Sequence, residues 1–233
     1  ADKARLAYVL PNFQNPTGRT MTEARRAALV AKAAELNIPL IEDNPYGDLW
    51  FGEAPPAPLT ARNPDGCIYM GSFSKVLAPG LRIGFLVAPK AIYPKLLQAK
   101  QAADLHTPGF NQRVVAEVIQ GDFLARHVPT IRALYQRQRD TMLAALEREM
   151  AGLDVTWTRP AGGMFLWLRL PAGMDAQALL PTAVERNVAF VPGAPFYATE
   201  ADARTLRLSY VTASSAQIDT AIAALAEAIR AQG

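Results

Sequence analysis

The sequence predicts an α/β fold, with a mostly parallel sheet that carries helices. Short apolar segments that end in polar or turn-forming residues alternate with amphipathic stretches along the first ninety residues. This alternation of strands and helices is typical of parallel sheets covered by helices. Half of the 233 residues are hydrophobic and 19% are charged, which is an ordinary globular balance. A chain of this length can bury a substantial core.

Four short apolar segments are the predicted strands of the first sheet. They occupy residues 6–10, 38–43, 67–70 and 83–88. Between the first two, Thr20-Met21-Thr22-Glu23 fits the capping-box pattern, in which a hydroxyl residue caps a helix and a glutamate follows three positions later. The sequence therefore predicts a helix that starts here and carries apolar residues at positions 27, 30, 31 and 34.

The remaining chain is predicted to be helical first and mixed afterwards. Residues 89–150 have a helical pattern with breaks at 107–109 and 128–129, and Gly152 follows its end. The later predicted elements are strands at 155–157, 164–170, 188–191 and 206–211, a helix at 175–186, and a final helix with Ile218, Ile222, Leu225 and Ile229 on one face. We place a domain boundary near residue 140, which gives a large-domain part at 1–139 and a small α+β domain at 140–233.

Composition and motifs exclude several classes of function. The single cysteine, Cys67, and the two histidines, His106 and His127, offer no metal-ligand cluster. A net charge of +3, scattered along the chain, does not favour nucleic acid as a partner. No apolar run reaches the length of a membrane helix, and the first residues lack a signal-peptide pattern. No nucleophile-elbow, P-loop or dinucleotide-binding motif occurs. A cytoplasmic location is expected.

Lys75 is the candidate nucleophile, because it follows a predicted strand in the stretch GSFSKVLAPGLR. A lysine amine attacks a carbonyl only when it is deprotonated, and burial and nearby cations favour the neutral form. The neighbouring Ser72, Ser74 and Arg82 offer hydroxyl groups and a guanidinium, which suit a phosphate dianion. This loop therefore indicates a ligand with both a carbonyl and a phosphate.

Asp43 and Tyr46, at and just beyond the end of the second predicted strand, add further polar groups to the same candidate site. Asp43, at the strand end, could pair with a protonated ring nitrogen, and Tyr46, three residues later, could donate to a ring hydroxyl. Open α/β sheets bind their ligands at the carboxyl ends of the strands. Pyridoxal 5′-phosphate has an aldehyde, a phosphate, a pyridine nitrogen and a phenolic oxygen, so it fits every group.

Six motifs together resemble one family, from about residue 6 to the C-terminus. In chain order they are QNPTG, EDNPYGDL, GSFSK, PGLRIGFL, RPAGGMFLW and LRLSY. In order and spacing they resemble the class I/II aminotransferases, the fold-type I pyridoxal-phosphate enzymes. Within that family the chain looks most similar to the branch of 2-aminoadipate, kynurenine and aromatic or branched-chain aminotransferases. The fold implied is part of the large domain of such an enzyme and its small domain.

The resemblance implies a role for each candidate residue. Lys75 would bind the cofactor aldehyde covalently and transfer a proton, and Asp43 would keep the pyridine nitrogen protonated. Arg207 would bind the substrate α-carboxylate through two hydrogen bonds, with Asn15 also in reach of that carboxylate. The other implied cofactor contacts are Asn15 and Tyr46 at the phenolic oxygen and Ser72, Ser74 and Arg82 at the phosphate.

The activity implied is transfer of an α-amino group from an amino acid to a 2-oxo acid, with 2-oxoglutarate as the expected acceptor. The resemblance also implies a homodimer. Two alternatives stay open, since the cofactor motifs do not determine which substrate bond breaks. One is a β-lyase or decarboxylase on the same fold. The other is the aminotransferase-like effector module of a GntR/MocR-type transcription regulator, although QNPTG and EDNPY favour the enzyme.

One departure from the family pattern concerns the start of the chain. In the family a long segment precedes QNPTG and supplies further strands, a helix N-terminus for the phosphate and an aromatic ring that stacks on the cofactor. Only thirteen residues precede that motif in this sequence. The chain is therefore expected to correspond to the C-terminal part of such an enzyme, and to bind the cofactor weakly by itself.

Overall fold

The structure is a computed structural model, and it describes residues 4–232. The chain divides into two compact units. The first contains the described residues up to Asn12 together with Thr20–Ile131, and the second contains Phe13–Arg19 together with the residues from Arg132 onward. This division and the predicted boundary near residue 140 both lie within one helix, Phe123–Glu149. The QNPTG segment belongs to the second unit, so that unit is not continuous in sequence.

The first unit contains a four-stranded sheet in the order β1-β2-β3-β4. Its strands are β1 (Ala7–Val9), β2 (Leu40–Asp43), β3 (Cys67–Ser72) and β4 (Gly84–Val87). The first three are parallel, and β4 pairs with β3 in the antiparallel direction. The four predicted strands and the mostly parallel sheet are thereby confirmed.

The first unit carries four helices, and a fifth extends beyond it. They are α1 (Glu23–Glu35), α2 (Leu59–Arg62), α3 (Tyr93–Asp104), α4 (Gly109–Ile119) and α5 (Phe123–Glu149). The predicted break at 107–109 is confirmed. The predicted break at 128–129 is wrong, because α5 continues through Pro129. A proline removes a single backbone N–H, and this helix is long enough to hold its path on both sides.

Helix α1 corrects two details of the sequence analysis. The capping-box pattern puts the helix cap at Thr20, whereas the cap is Thr22, whose side chain accepts a hydrogen bond from Arg25 N at 3.4 Å. The buried residues are Arg26 and Ala33, so the buried face is displaced from the predicted apolar positions. Hydropathy patterns place an arginine outside, yet Arg26 is buried because backbone and side-chain oxygens surround its guanidinium.

The second unit contains an antiparallel sheet in the order β5-β6-β8-β7. Its strands are β5 (Thr156–Trp157), β6 (Phe165–Arg169), β7 (Val191–Pro192) and β8 (Thr205–Ser209). The helices of this unit, besides the end of α5, are α6 (Ala176–Glu185) and α7 (Ser215–Gln232). The strand predicted at 188–191 is shifted, since only Val191 and Pro192 pair with β8.

One face of this second sheet is fully packed. The leucines that alternate along β6 and β8 are 0–5% exposed: Leu166, Leu168, Leu206 and Leu208. The predicted apolar face of the last helix is confirmed, because Ile218, Ile222, Leu225 and Ile229 are all buried in α7. Since successive strand residues point to opposite faces, Phe165, Trp167 and Arg207 lie on the other side of the sheet.

Candidate active site

The carboxyl edge of the first sheet carries most of the candidate residues. Asp43 is the last residue of β2 and pairs in register with Met70, and Ser72 is the last residue of β3. Because β1, β2 and β3 are parallel, these strand ends share one edge of the sheet. Tyr46 follows in the turn after β2 and is 6% exposed. This edge is where an open parallel sheet presents polar groups to a ligand.

The turn after β3 presents Lys75. The backbone N–H groups of Leu77 and Ala78 donate to the carbonyl oxygen of Phe73 at 2.9 and 3.2 Å, which closes the turn. Ser74 N donates to Ser72 Oγ at 3.1 Å, so the two serines belong to one hydrogen-bonded loop. Lys75 is half-buried in this turn.

Arg82 lies in the connection between this turn and β4. It is exposed, and it adopts the left-handed conformation with φ 54°. Its Nη1 donates to the carbonyl oxygen of Pro79 at 3.2 Å. A non-glycine residue in this region of φ and ψ carries local strain, which is frequent at ligand sites. The conformation reverses the chain directly before β4 begins at Gly84.

Tyr8 contacts Asp43, a partner that the sequence analysis missed. The hydroxyl of Tyr8 donates to Asp43 Oδ2. Burial raises the pKa of Tyr8 well above its usual range, and the hydrogen bond and the negative charge of Asp43 add to the effect. Tyr8 is therefore a neutral donor at physiological pH, and it holds one oxygen of the carboxylate. The register of β1 with β2, in which Tyr8 is opposite Ile41, brings the two side chains together.

A second network, also missed by the sequence analysis, crosses the same strand ends. Asn12 Nδ2 donates to Asn44 Oδ1 at 2.8 Å, and Asn44 Nδ2 donates to Tyr69 Oη at 2.8 Å. Asn12 Oδ1 accepts a hydrogen bond from the buried Arg26. These bonds connect the ends of β1 and β2 with β3. They fix the backbone at Asn44, which lies between Asp43 and the turn that holds Tyr46.

The second unit brings Asn15 and Arg207 together. Arg207 Nη1 donates to Asn15 Oδ1 at 2.7 Å, across 192 positions of sequence. This bond uses the amide oxygen of Asn15, which leaves the Nδ2 group as the donor of that side chain. The Asn15–Pro16 peptide bond is cis. Gly18 has φ +68°, and a Cβ there would be 2.5 Å from the carbonyl oxygen of Phe165, so the QNPTG loop needs glycine at this position.

Cys67 does not belong to the site. Cys67 is 1% exposed, and burial together with the charge of Glu42 raises its pKa to about 11, so it is no candidate nucleophile.

Within residues 4–232 no group of three histidine, cysteine, aspartate or glutamate side chains could hold a metal ion. In the same part of the chain no helix combines the length and the apolar character needed to cross a membrane.

Comparison with known proteins identifies the family. Residues 3–225 match the family described as aminotransferase class I and II. The chain belongs to this family. Its relatives include the 2-aminoadipate transaminase of Thermus thermophilus, which is 44% identical over 98% of this chain and 58% of that protein. They also include an uncharacterized HTH-type transcriptional regulator of Bacillus subtilis, which is 37% identical over 97% of this chain and 46% of that protein.

A solved aminotransferase has the same fold along nearly the whole chain. The kynurenine aminotransferase of Pyrococcus horikoshii, in complex with PMP, KYN as substrates and KYA as products, superposes with a TM-score of 0.93. It is 42% identical, and the match covers 97% of this chain and 56% of that one. The chain thus has the fold of the class I and II aminotransferases, and it spans about half the length of the relatives it matches.

In this aminotransferase chain the eight candidate residues fall into two groups. The first unit contains the six whose expected partner is the cofactor: Asp43, Tyr46, Ser72, Ser74, Lys75 and Arg82. The second unit contains Arg207, expected at the substrate carboxylate, and Asn15, expected both at that carboxylate and at the phenolic oxygen of the cofactor. The contacts that sequence reasoning missed involve Tyr8, Asn12, Asn44 and Tyr69. For Tyr8 the available signal was the apolar segment at residues 6–10, which predicts a strand but does not identify the partner of the side chain.

Proposed function

We propose that the complete protein carrying this chain is a pyridoxal 5′-phosphate-dependent aminotransferase. It would move an α-amino group between an amino acid and a 2-oxo acid, with 2-oxoglutarate as the acceptor. The observation that carries the proposal is the placement of Lys75, in a closed turn after β3, and Asp43, at the end of β2, along one edge of a parallel sheet. The 2-aminoadipate transaminase relative and the PMP complex of a structural neighbour support it.

The donor set of the first unit fits this cofactor. Lys75 offers the amine for an aldehyde, and Asp43 offers a carboxylate for a protonated pyridine nitrogen. The phosphate would be held by Ser72, Ser74 and Arg82, whose hydroxyl groups and guanidinium suit a dianion. When bound, the cofactor supplies an electron sink for the bond that breaks at the substrate Cα.

The chain's own residues would hold and protonate the reacting groups. Lys75 would carry the proton between the substrate Cα and the carbon to which the amino group is transferred. Tyr46, together with the Nδ2 group of Asn15, would donate to the phenolic oxygen. The hydroxyl of Tyr8 donates to one carboxylate oxygen of Asp43. This hydrogen bond fixes the orientation of the whole carboxylate, including its second oxygen. The hydrogen bond that Arg207 donates to Asn15 would align the guanidinium for the α-carboxylate.

Replacement of Lys75 by alanine in the complete protein tests this proposal. The loss of the amine should abolish the visible absorption of the lysine-bound cofactor and all transamination. After borohydride reduction, the mass of the cofactor should be found on the peptide that contains Lys75. Lys90→Ala, which removes an exposed lysine, is the matched control and should retain both signals. A cofactor found on another lysine would contradict the assignment.

A regulatory function is the second candidate, because the HTH-type regulator relative aligns with 97% of this chain. In such a protein the same residues would bind the cofactor without turnover. A panel of amino donors with 2-oxoglutarate separates the two, because an enzyme will turn over at least one donor many times. The β-lyase or decarboxylase alternative would instead release ammonia with pyruvate, or carbon dioxide, in the same panel.

The assembly proposed is the one that the family resemblance implies, and the location proposed is the one expected from the sequence. We propose a cytoplasmic homodimer that takes amino acids and 2-oxo acids as substrates. Light scattering on the purified complete protein measures the mass of the assembly directly.

A further inference from the structure

The inference concerns the face of the second sheet that carries Arg207. In β8 the backbone of Arg207 is directly opposite Trp167 of β6 on one side and Val191 of β7 on the other. Side chains that are opposite in register share one face of a sheet. The other face of the same strands is filled by leucines, so the arginine is on the face where two aromatic residues of β6, Phe165 and Trp167, also lie.

The guanidinium of Arg207 lies over two aromatic rings. Its central carbon is 4.2 Å from the centroid of the Phe165 ring and 5.4 Å from that of Phe196. Both distances are within the range in which a cation is attracted by the negative face of a ring. At its edge, the same group donates to Asn15 Oδ1 at 2.7 Å. The guanidinium is therefore held by contacts with two rings and by one hydrogen bond from an N–H group.

Phe196 is itself held in place from two directions. Its ring packs edge-on against Trp167, with centroids 5.8 Å apart and an interplanar angle of 84°. The loop that carries it is fixed to β8 by a hydrogen bond from Gly193 N to the carbonyl oxygen of Thr205 at 2.7 Å. A Cβ on Gly193 would be 2.1 Å from Thr205 Oγ1, so only glycine permits this close approach.

We propose that Phe165 and Phe196 are positioning residues that fix the plane of the Arg207 guanidinium for a carboxylate. The N–H donors of a guanidinium point outward in its plane, and none points from its faces. Ring contacts at the central carbon therefore restrict rotation without forming a hydrogen bond with a donor. A long arginine side chain loses rotamer freedom when it binds a ligand, and ordering it beforehand lowers that loss. This inference rests on the proposed function of Arg207 as the carboxylate-binding residue.

Both aromatic rings would affect the binding of every substrate of the reaction. Amino acids and 2-oxo acids both present the carboxylate, so both half-reactions depend on the same arginine geometry. The rings would act on binding and would not take part in proton transfer at Lys75. A change in either ring is accordingly expected in Kd and KM, with kcat retained.

Leucine substitutions in the complete holoenzyme test the proposal. Phe196→Leu keeps apolar bulk but removes the π face, and we expect the Kd for 2-oxoglutarate, measured by calorimetry, to rise about three- to tenfold. Phe196→Tyr keeps a ring and should restore the wild-type Kd. Tyr197→Leu is the matched control, because Tyr197 has nearly the same exposure, 37% against 38%, and packs on Trp167. Phe165→Leu repeats the test at the nearer, buried ring, and the Kd should rise there as well.

A double-mutant cycle separates positioning of Arg207 from a general structural effect. In an Arg207→Ala background, Phe196→Leu should change the Kd for 2-oxoglutarate no further. An equal effect with and without Arg207, or a Phe196→Leu protein that binds like the wild type, would overturn the inference. Absence of turnover in the wild type would overturn the proposed function alone, because the calorimetric series reports on Arg207 without turnover.

Discussion

The buried Arg26 allows a stability prediction with a magnitude worked from its contacts. Its side chain is 0% exposed. Nε donates to the carbonyl oxygen of Met21 at 3.0 Å, and the two Nη groups reach those of Ala57 and Pro11 at 3.4 Å each. Nη2 also donates to Asn12 Oδ1. One side chain thus connects the end of β1, the approach to α1 and the loop before α2.

Replacement of Arg26 by methionine keeps an unbranched chain and removes every donor. The carbonyl oxygens of Pro11 and Ala57 keep a second donor, from Met21 N and Arg62 Nη2. The carbonyl oxygen of Met21 and Asn12 Oδ1 lose the donor that Arg26 supplies, and a buried acceptor without a partner costs about 1–3 kcal/mol. Removal of the charge offsets part of this cost, since burial disfavours the charged guanidinium and lowers the pKa of Arg26, while the charge of Glu42 acts in the opposite direction. Two such acceptors cost about 2–6 kcal/mol together, and with this offset we expect a loss of about 2–5 kcal/mol.

Urea unfolding of the complete protein, followed by circular dichroism, measures the effect. Arg25→Met is the matched control, because the neighbouring arginine is exposed, and its free energy of unfolding should change by less than about 0.5 kcal/mol. If the two variants lose equal stability, the hydrogen bonds of Arg26 do not contribute as the structure indicates, and the reasoning is refuted.

Two further predictions concern Tyr8 and Cys67. Tyr8→Phe removes the donor to Asp43, so the Kd for pyridoxal 5′-phosphate in a fluorescence titration should rise roughly tenfold, as the loss of a hydrogen bond to a charged group predicts; Tyr93→Phe, at an exposed tyrosine of α3, should leave it unchanged. Since the pKa of Cys67 rises from 9.0 to about 11 on folding, its contribution to stability is complete below pH 9 and falls as the pH approaches 11. Urea unfolding should therefore show that the free energy of unfolding falls less between pH 7 and pH 10 in Cys67→Ala than in the wild type. An equal fall in both proteins would contradict the burial of the thiol.

Local sequence patterns were sufficient for most elements. The four apolar segments of the first unit became β1 to β4, because each combines a short apolar run with polar or turn-forming residues at its end. The face of α7 followed from spacing alone, since Ile218 and Ile222 recur at the helical period. Local patterns gave wrong predictions at residues that are unusual for their position in the fold. Pro129 remains inside α5, and Arg26 occupies a buried face, because tertiary contacts outweighed local preference.

The candidate residues could be named from the sequence, whereas the contacts among them could not. The chemistry of Lys75, Asp43 and Arg207 can be read from residue type and from position after a strand, which depend on near neighbours in the chain. The hydrogen bond from Tyr8 to Asp43 depends on the register of β1 with β2, which no local pattern specifies.

By itself, the sequence determined the family, the order of strands and helices, and the side chains available for chemistry, because these follow from composition and short-range spacing. Only the tertiary structure decided which of these side chains meet. It placed Asn15 against Arg207 across 192 positions and set two phenylalanine rings over one guanidinium. The physical reason is that contacts between distant segments depend on strand register and on close packing, both of which are properties of the folded chain as a whole.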